Sequence, residues 1–212
     1  MSNFDLVLQR RKTRSLKWDM MEQIYNIEDA SDILPMWVAD MDFKAPQQVL
    51  DAIQERLNQG ILGYSYVCEG CKQSIVSWFE KRHRWQIDSS TILFHHGVIP
   101  IIATVIETFT KEDDLIGMMT PVYPPFFNLP TNQHRQITRV TLIEQDGKYA
   151  IDFEMLEQTF KDGVKLFILC NPHNPGGIIW TKDELQRIVD LAIQYDVIIL
   201  SDEIHGDLAM KG

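Results

Sequence analysis

Val164-Lys165-Leu166-Phe167-Ile168-Leu169-Cys170, followed at once by Asn171-Pro172-His173-Asn174-Pro175, sets the fold class of this chain. Seven residues with a single charge among them do not alternate between apolar and polar, so the run reads as a strand buried on both faces. It empties into a loop of prolines, amides and a histidine, residue types that force turns and make hydrogen bonds. Similar short apolar runs stand at 91–94, 115–119, 137–143 and 196–200, each read as a strand.

Between these runs the period changes from two to that of a helix. After Pro46, Val49, Ala52, Ile53 and Leu57 recur at helical spacing, with Gly60 as the stop. A second helix follows Gly70 through Ile75, Trp78 and Phe79, and a largely apolar one spans 100–109. Phe153, Leu156 and Phe160 form a helical face behind the cap Asp152. Thr181 with Glu184 three residues on makes a capping box ahead of Leu185, Ile188, Val189 and Ala192. Doubly buried strands separated by helices predict an α/β fold, a mainly parallel sheet with helices on both faces. In such sheets ligands bind beyond the carboxyl ends of the strands. The first stretch, to about residue 35, is mixed and basic around Arg10-Arg11-Lys12-Thr13-Arg14 and reads as an arm.

The 212 residues suffice for one large domain or one domain with an appendage, and the 45% hydrophobic and 24% charged shares are those of ordinary globular proteins. No apolar run reaches the length of a membrane span, and Met1-Ser2-Asn3-Phe4-Asp5 lacks the pattern of a secretory signal. The expected location is cytoplasmic, with no membrane partner. A net charge of -10 would repel a phosphate backbone, so no nucleic-acid partner is expected. Cys68, Cys71 and Cys170 are read as reduced thiols. Cys68-Glu69-Gly70-Cys71 has the spacing of a metal half-site or a redox pair. No second pair completes a zinc site, so it is read as a pair at a loop-to-helix junction and no metal is assigned.

Three strand ends carry the chemistry. At Phe94-His95-His96-Gly97-Val98-Ile99-Pro100 a strand passes through glycine into a helix, whose free N–H groups and positive dipole end suit a phosphate. Tyr123, flanked by prolines in Thr120-Pro121-Val122-Tyr123-Pro124-Pro125, is either a packing aromatic or a platform for a flat heterocycle. Asp202 follows the run Val197-Ile198-Ile199-Leu200-Ser201 so closely that its carboxylate must lose hydration, which is costly without a cation or strong donor. Asn174 and His205 flank it at adjacent strand ends.

Five motifs in order resemble the pyridoxal-phosphate enzymes of fold type I (the aspartate aminotransferase fold) and, within them, the cystathionine β-lyase group of the MalY/PatB type. They are Trp37-Val38-Ala39-Asp40-Met41-Asp42-Phe43, Gly63-Tyr64-Ser65-Tyr66, Thr120 to Phe127, Cys170 to Pro175, and Ser201-Asp202-Glu203-Ile204-His205. The resemblance implies pyridoxal 5'-phosphate as cofactor, with Asp202 on its ring nitrogen and Asn174 on its 3-oxygen. His205 stands where the wider fold often has a tyrosine serving that same oxygen. Tyr123 would stack on the ring, and Gly97, Val98 and Ile99 would cradle the phosphate. Tyr64 would reach the phosphate of a neighbouring subunit's cofactor, which implies a homodimer. Trp37 and Asp40 would line the entrance for a small amino-acid substrate. Residues 1–45 are read as an N-terminal arm with part of a small domain, and 46–212 as an incomplete cofactor-binding large domain.

The resemblance also implies what lies outside this sequence. The family's Schiff-base lysine follows farther beyond the aspartate, in a Ser-x-Ser-Lys or Ser-Lys-Thr context. Lys211 stands too soon after Asp202 and lacks that context, so it is not assigned the role. The C-terminal small domain and the arginine that clamps a substrate carboxylate are likewise absent. The expected activity is therefore that of part of a carbon–sulfur β-lyase, amino acid to thiol, pyruvate and ammonia, inert as this chain alone. The alternatives are a class I/II aminotransferase, which needs the same electron sink, and a non-catalytic fragment that binds the cofactor or a partner.

Overall fold

The computed structural model describes residues 4–210, which divide between Gln86 and Ile87 into two units. In the first, the basic stretch carries two short helices, α1 (Leu16–Asp19) and α2 (Met21–Tyr25). Its charge is matched within the same unit. Arg10 pairs with Asp40 at 2.6 Å and with Asp42 at 2.7 Å, and Lys17 Nζ reaches Asp42 at 2.7 Å. Trp18 Nε1–H donates to Asp42 Oδ1 at 2.8 Å. These donors, Lys17 first and Trp18 next, hold the Asp42 carboxyl down to about 2. The segment at 40–42 is thereby tied to the arm by its side chains.

Two longer helices complete this unit. α3 (Gln47–Asn58) starts behind Pro46 and is followed by Gly60 at φ +71, a left-handed turn that favours glycine. Its Val49, Ile53 and Leu57 remain about half exposed. α4 (Glu69–His83) takes Cys68 as its N-cap and ends on a left-handed Arg84.

The second unit supplies the predicted sheet. Its elements run α5 (Val98–Phe109), β1 (Leu115–Thr120), α6 (Pro125–Asn132), β2 (Gln136–Thr141), β3 (Ile143–Gln145), β4 (Lys148–Ala150), α7 (Phe153–Lys161), β5 (Val164–Cys170), α8 (Lys182–Gln194) and β6 (Ile198–Asp202). Four strands pair in the order β2-β1-β5-β6, all parallel. The central pair is buried along nearly its whole length, as the unbroken apolar runs require.

Alternation along β5 builds two cores. Leu166, Ile168 and Cys170 face one side, with Ile102 and Ile106 of α5 and Phe126 of α6. Phe167 and Leu169 face the other, with Leu156 and Phe160 of α7 and Ile188, Leu191 and Ala192 of α8. Each such large side chain contributes about 2 kcal/mol on burial. Phe160 and Phe167 meet edge to face at 5.2 Å. Gly117 of β1 lies opposite Phe167, and a Cβ there would stand 2.9 Å from the phenyl ring, so the close approach requires glycine. Both predicted caps form. Asp152 accepts from the N–H groups of Glu154 and Met155, and Thr181 and Glu184 make the reciprocal capping box.

The strand expected at 91–94 does not form. Ser89–Thr91 is a 3-10 turn and Leu93 is 80% exposed. Apolarity favours burial, but a strand also needs a neighbour's N–H and C=O groups, and no described strand lies beside this one. The run at 137–143 also divides: β2 stops at Thr141, and Ile143 opens a β3–β4 hairpin. Asp146 and Gly147 turn it with φ of 51° and 71°, the two positive values of a type I′ turn.

Candidate functional site

The carboxyl edge of the parallel sheet gathers the strand-end residues of the second unit. β5 and β6 are paired as far as Cys170 opposite Asp202, and the Asn171 N–H continues the ladder to the Asp202 carbonyl at 3.0 Å. Leu200 packs into the core under α5, so by alternation the Asp202 side chain points to the same face. Asp202 is only 9% exposed. Its Oδ1 accepts the Ile204 N–H at 3.1 Å, and no cation among the described residues pairs with it. A carboxylate so buried carries a desolvation cost that a cationic ligand would offset.

α5 brings its N-terminus to that same edge. Its C-cap, Thr110, is bonded by Arg135 at the foot of β2, with Nε donating to Oγ1 at 3.0 Å and Nη2 to the carbonyl at 2.7 Å. The helix therefore runs antiparallel to the strands and begins at their carboxyl ends. Gly97, its N-cap at φ +130, offers no capping side chain, so the N–H groups of Val98 and Ile99 stay available at the positive end of a 12-residue helix. Tyr123 follows β1 onto this edge, its ring edge to face with the buried Phe126 at 5.9 Å. His205, half-buried, leads into a 3-10 turn just beyond Asp202.

The Asn174 loop is built around a residue that sequence reasoning left without a role. His173 is 2% exposed. Its N–H donates to the Ile178 carbonyl at 2.7 Å and its carbonyl accepts the Gly177 N–H at 2.8 Å. Nδ1 accepts the Gly176 N–H at 3.3 Å, which leaves the neutral ring's proton on Nε2, without a partner among the described residues. Burial pushes its pKa below the ordinary histidine value. A Cβ at Gly176 would lie 2.8 Å from Nδ1, so that glycine admits the ring. Trp180 closes the loop, its N–H groups bonded to Asn171 Oδ1 at 3.1 Å and to the Cys170 carbonyl at 3.3 Å. Asn174 itself donates its backbone N–H to Cys170 Sγ at 3.4 Å and keeps its side-chain amide unpartnered among the described residues. Burial, with the nearby Asp202 carboxylate, pushes the Cys170 thiol up against the opposing Asn174 bond.

The set fits a flat, anionic ligand that carries a ring cation: one buried carboxylate without a cation, one free amide, one aromatic face and one uncapped helix start. Gly97, Val98, Ile99, Tyr123, Asn174, Asp202 and His205 share this edge. Trp37, Asp40 and Tyr64 belong to the first unit. There Trp37 Nε1–H donates to the Lys17 carbonyl at 3.1 Å, Asp40 is ion-paired to Arg10, and Tyr64 is fully exposed. Lys211 lies outside the described residues. Among them no cluster of three or more His, Cys, Asp or Glu could hold a metal ion, and no helix is long and apolar enough to cross a membrane. The signals for His173 were present in the sequence, a histidine between two Asn-Pro steps with Gly176 close behind, but its ring packs edge to face on Trp180, seven residues on, at 5.6 Å.

Comparison with known proteins places the chain among relatives. The model of the family "Aminotransferase class I and II" matches residues 31–212. Cystathionine beta-lyase PatB of Bacillus subtilis is 41% identical over 211 residues, covering 99% of this chain and 54% of that protein. Protein MalY of Escherichia coli is 31% identical over 210 residues, covering 98% and 53%. The crystal structure of cystalysin from Treponema denticola, which contains a pyridoxal 5'-phosphate cofactor, superposes with a TM-score of 0.93 at 39% identity over 100% of this chain and 54% of that one. The chain spans about half the length of the curated relatives it matches.

Proposed function

Because the chain belongs to the aminotransferase class I and II family, we propose that it carries the cofactor-gripping part of a pyridoxal-phosphate-dependent carbon–sulfur β-lyase. The observation that carries this reading is the buried Asp202 carboxylate, with no cation paired to it among the described residues, locked by the ladder to the loop of Asn174. When bound, pyridoxal phosphate supplies an electron sink for charge developing at a substrate's α-carbon. Asp202 keeps the proton on the ring nitrogen, in a site dry enough for a charge-assisted bond to count. The Asn174 amide donates to the ring's 3-oxygen, with His205 serving the same atom. Tyr123 covers one face and excludes water from it. Gly97, Val98 and Ile99 hold the phosphate through backbone N–H groups.

The remaining roles rest on the family likeness. Tyr64 reaches the phosphate of a cofactor in a second copy of the chain, as a cytoplasmic homodimer would allow. Trp37 and Asp40 line the entrance for a small amino acid, with Arg10 setting the Asp40 carboxylate. Residues 1–45 serve as an arm with part of a small domain, and 46–212 as part of the large domain. The relatives named cystathionine β-lyase favour the lyase over a transaminase, and the lyase products are a thiol, pyruvate and ammonia.

The test adds pyridoxal phosphate and then cystathionine to the 212-residue protein. Saturable quenching of protein fluorescence by the cofactor is expected, weakened in Asp202→Asn, with no pyruvate formed by this chain alone. Absence of binding would sink the grip, and robust pyruvate release would show that a lysine of this sequence serves as the covalent anchor. Formation of glutamate from 2-oxoglutarate would favour the aminotransferase reading.

A further inference from the structure

We propose that Cys68 and Cys71 form a redox pair that closes to an intramolecular disulfide by exchange with a small-molecule disulfide. This is independent of the cofactor reading. Cys68 is the N-cap of α4, with φ −74 and ψ 157, and Cys71 is the third residue of that helix. Thr181, the N-cap of α8, has nearly the same backbone, φ −66 and ψ 159. There the side chains at N-cap and third position touch, Thr181 Oγ1 lying 2.7 Å from Glu184 Oε2. The same frame therefore sets the two cysteine side chains on one side of the first turn of α4. The Cys71 N–H closes this turn on the Cys68 carbonyl at 3.0 Å.

Three details favour closure. Cys68 Sγ leans over the turn, 3.9 Å from where a Cβ of Gly70 would stand, and Gly70 has no side chain to obstruct it. Cys68 makes no capping hydrogen bond, so none must break for its sulfur to swing. In a helical turn residues three apart have Cα atoms about 5 Å apart, within the roughly 4.4–6.8 Å that a disulfide spans. Both thiols are exposed, whereas Cys170 is buried. No metal cluster among the described residues claims the pair.

The chemistry balances without a further oxidant. One cysteine thiolate attacks a small disulfide such as oxidised glutathione, forming a mixed disulfide and releasing one glutathione thiolate. The second cysteine then attacks the protein sulfur of that bond and expels the other. The two cysteines lose two electrons and two protons, and two glutathione thiols form.

The experiment treats the reduced 212-residue protein with oxidised glutathione and follows accessible thiols and intact mass. Expected are two fast-reacting thiols beforehand, none afterwards, and a monomer lighter by about 2 Da with no retained glutathione. Stable glutathione adducts on the wild-type chain, covalent dimers, or two thiols that persist would each overturn the pair. Cys68→Ser and Cys71→Ser should each retain one glutathione, because the resolving thiol is gone. A Cys68→Ser or Cys71→Ser variant that loses its remaining exposed thiol without such an adduct would also overturn it.

Discussion

The Asn171 N–H donates to the Asp202 carbonyl at 3.0 Å, one step beyond the last paired residues of β5 and β6. The loop that carries Asn174 and the strand end that carries the buried carboxylate therefore move as one piece. A ligand held by both meets a preorganised grip, and little ordering remains to be done on binding.

Asp202→Asn separates affinity from stability. The amide keeps an oxygen for the Ile204 N–H but removes the buried negative charge. Pyridoxal phosphate affinity should fall about tenfold or more, as for loss of a charge-assisted bond. The urea midpoint of the ligand-free chain should stay level or rise, because an uncompensated charge is gone. Equal loss of both would show that the carboxylate serves folding.

Gly117→Ala tests the close approach of β1 to β5. The new Cβ meets the Phe167 ring at 2.9 Å, and overpacking of this kind costs about 1–3 kcal/mol. The urea midpoint should fall with an unchanged slope. Adding Phe167→Leu should recover part of the loss, and strict additivity of the two would argue against the contact.

His173 should make the chain acid-sensitive in a defined window. Its folded pKa is depressed by burial, so the unfolded chain binds the proton more readily. Its contribution is fully present above the unfolded value of about 6.5 and is lost as pH falls from there through the folded pKa. Protonation would also place a proton on Nδ1, which must accept from the Gly176 N–H. Urea midpoints of the wild type should drop between pH 7.5 and 5.5, and His173→Gln should show a shallower drop. Parallel pH profiles would count against this assignment.

Asp42 acts at lower pH. Its carboxyl is held at about 2, so its stabilising contribution to the first unit is present above the ordinary carboxylate value of 3.8 and lost as pH falls through about 2. Protection of the Trp18 indole N–H, which donates to Asp42, should be lost across that range in the wild type and be lower already at pH 6 in Lys17→Met. No change in Lys17→Met would contradict the pairing.

Much of this was legible where the signal is local. β5 announced itself by an unbroken apolar run, Asp152 and the Thr181–Glu184 box by cap chemistry, and Asp202 by its place at the end of a β-branched stretch. Non-local partners were not legible. Residues 91–94 have strand composition but no neighbour to bond, and composition does not encode a ladder. Ile143 reads as the end of the strand at 137–143, whereas the Asp146-Gly147 turn makes it the start of a hairpin. α6 hid behind Pro124 and Pro125, which read as a break although proline suits a helix's first turn. The basic stretch around Arg10 reads as an arm, and the pairing of Arg10 and Lys17 within their own unit was not legible because their acidic partners lie more than twenty residues away.

The pairing of Cys170 with Asp202 has a consequence that the two residue identities do not convey. Side chains alternate strictly along β6, so sliding it by a single residue against β5 would carry every group to the opposite surface. Ser201 would then occupy the ligand edge, and the carboxylate would be driven in among α7 and α8 beside Leu169 and Trp180. Alignment is thus itself a functional variable. A substitution anywhere in the β5–β6 ladder that loosens it can abolish ligand recognition while leaving every recognising residue in place.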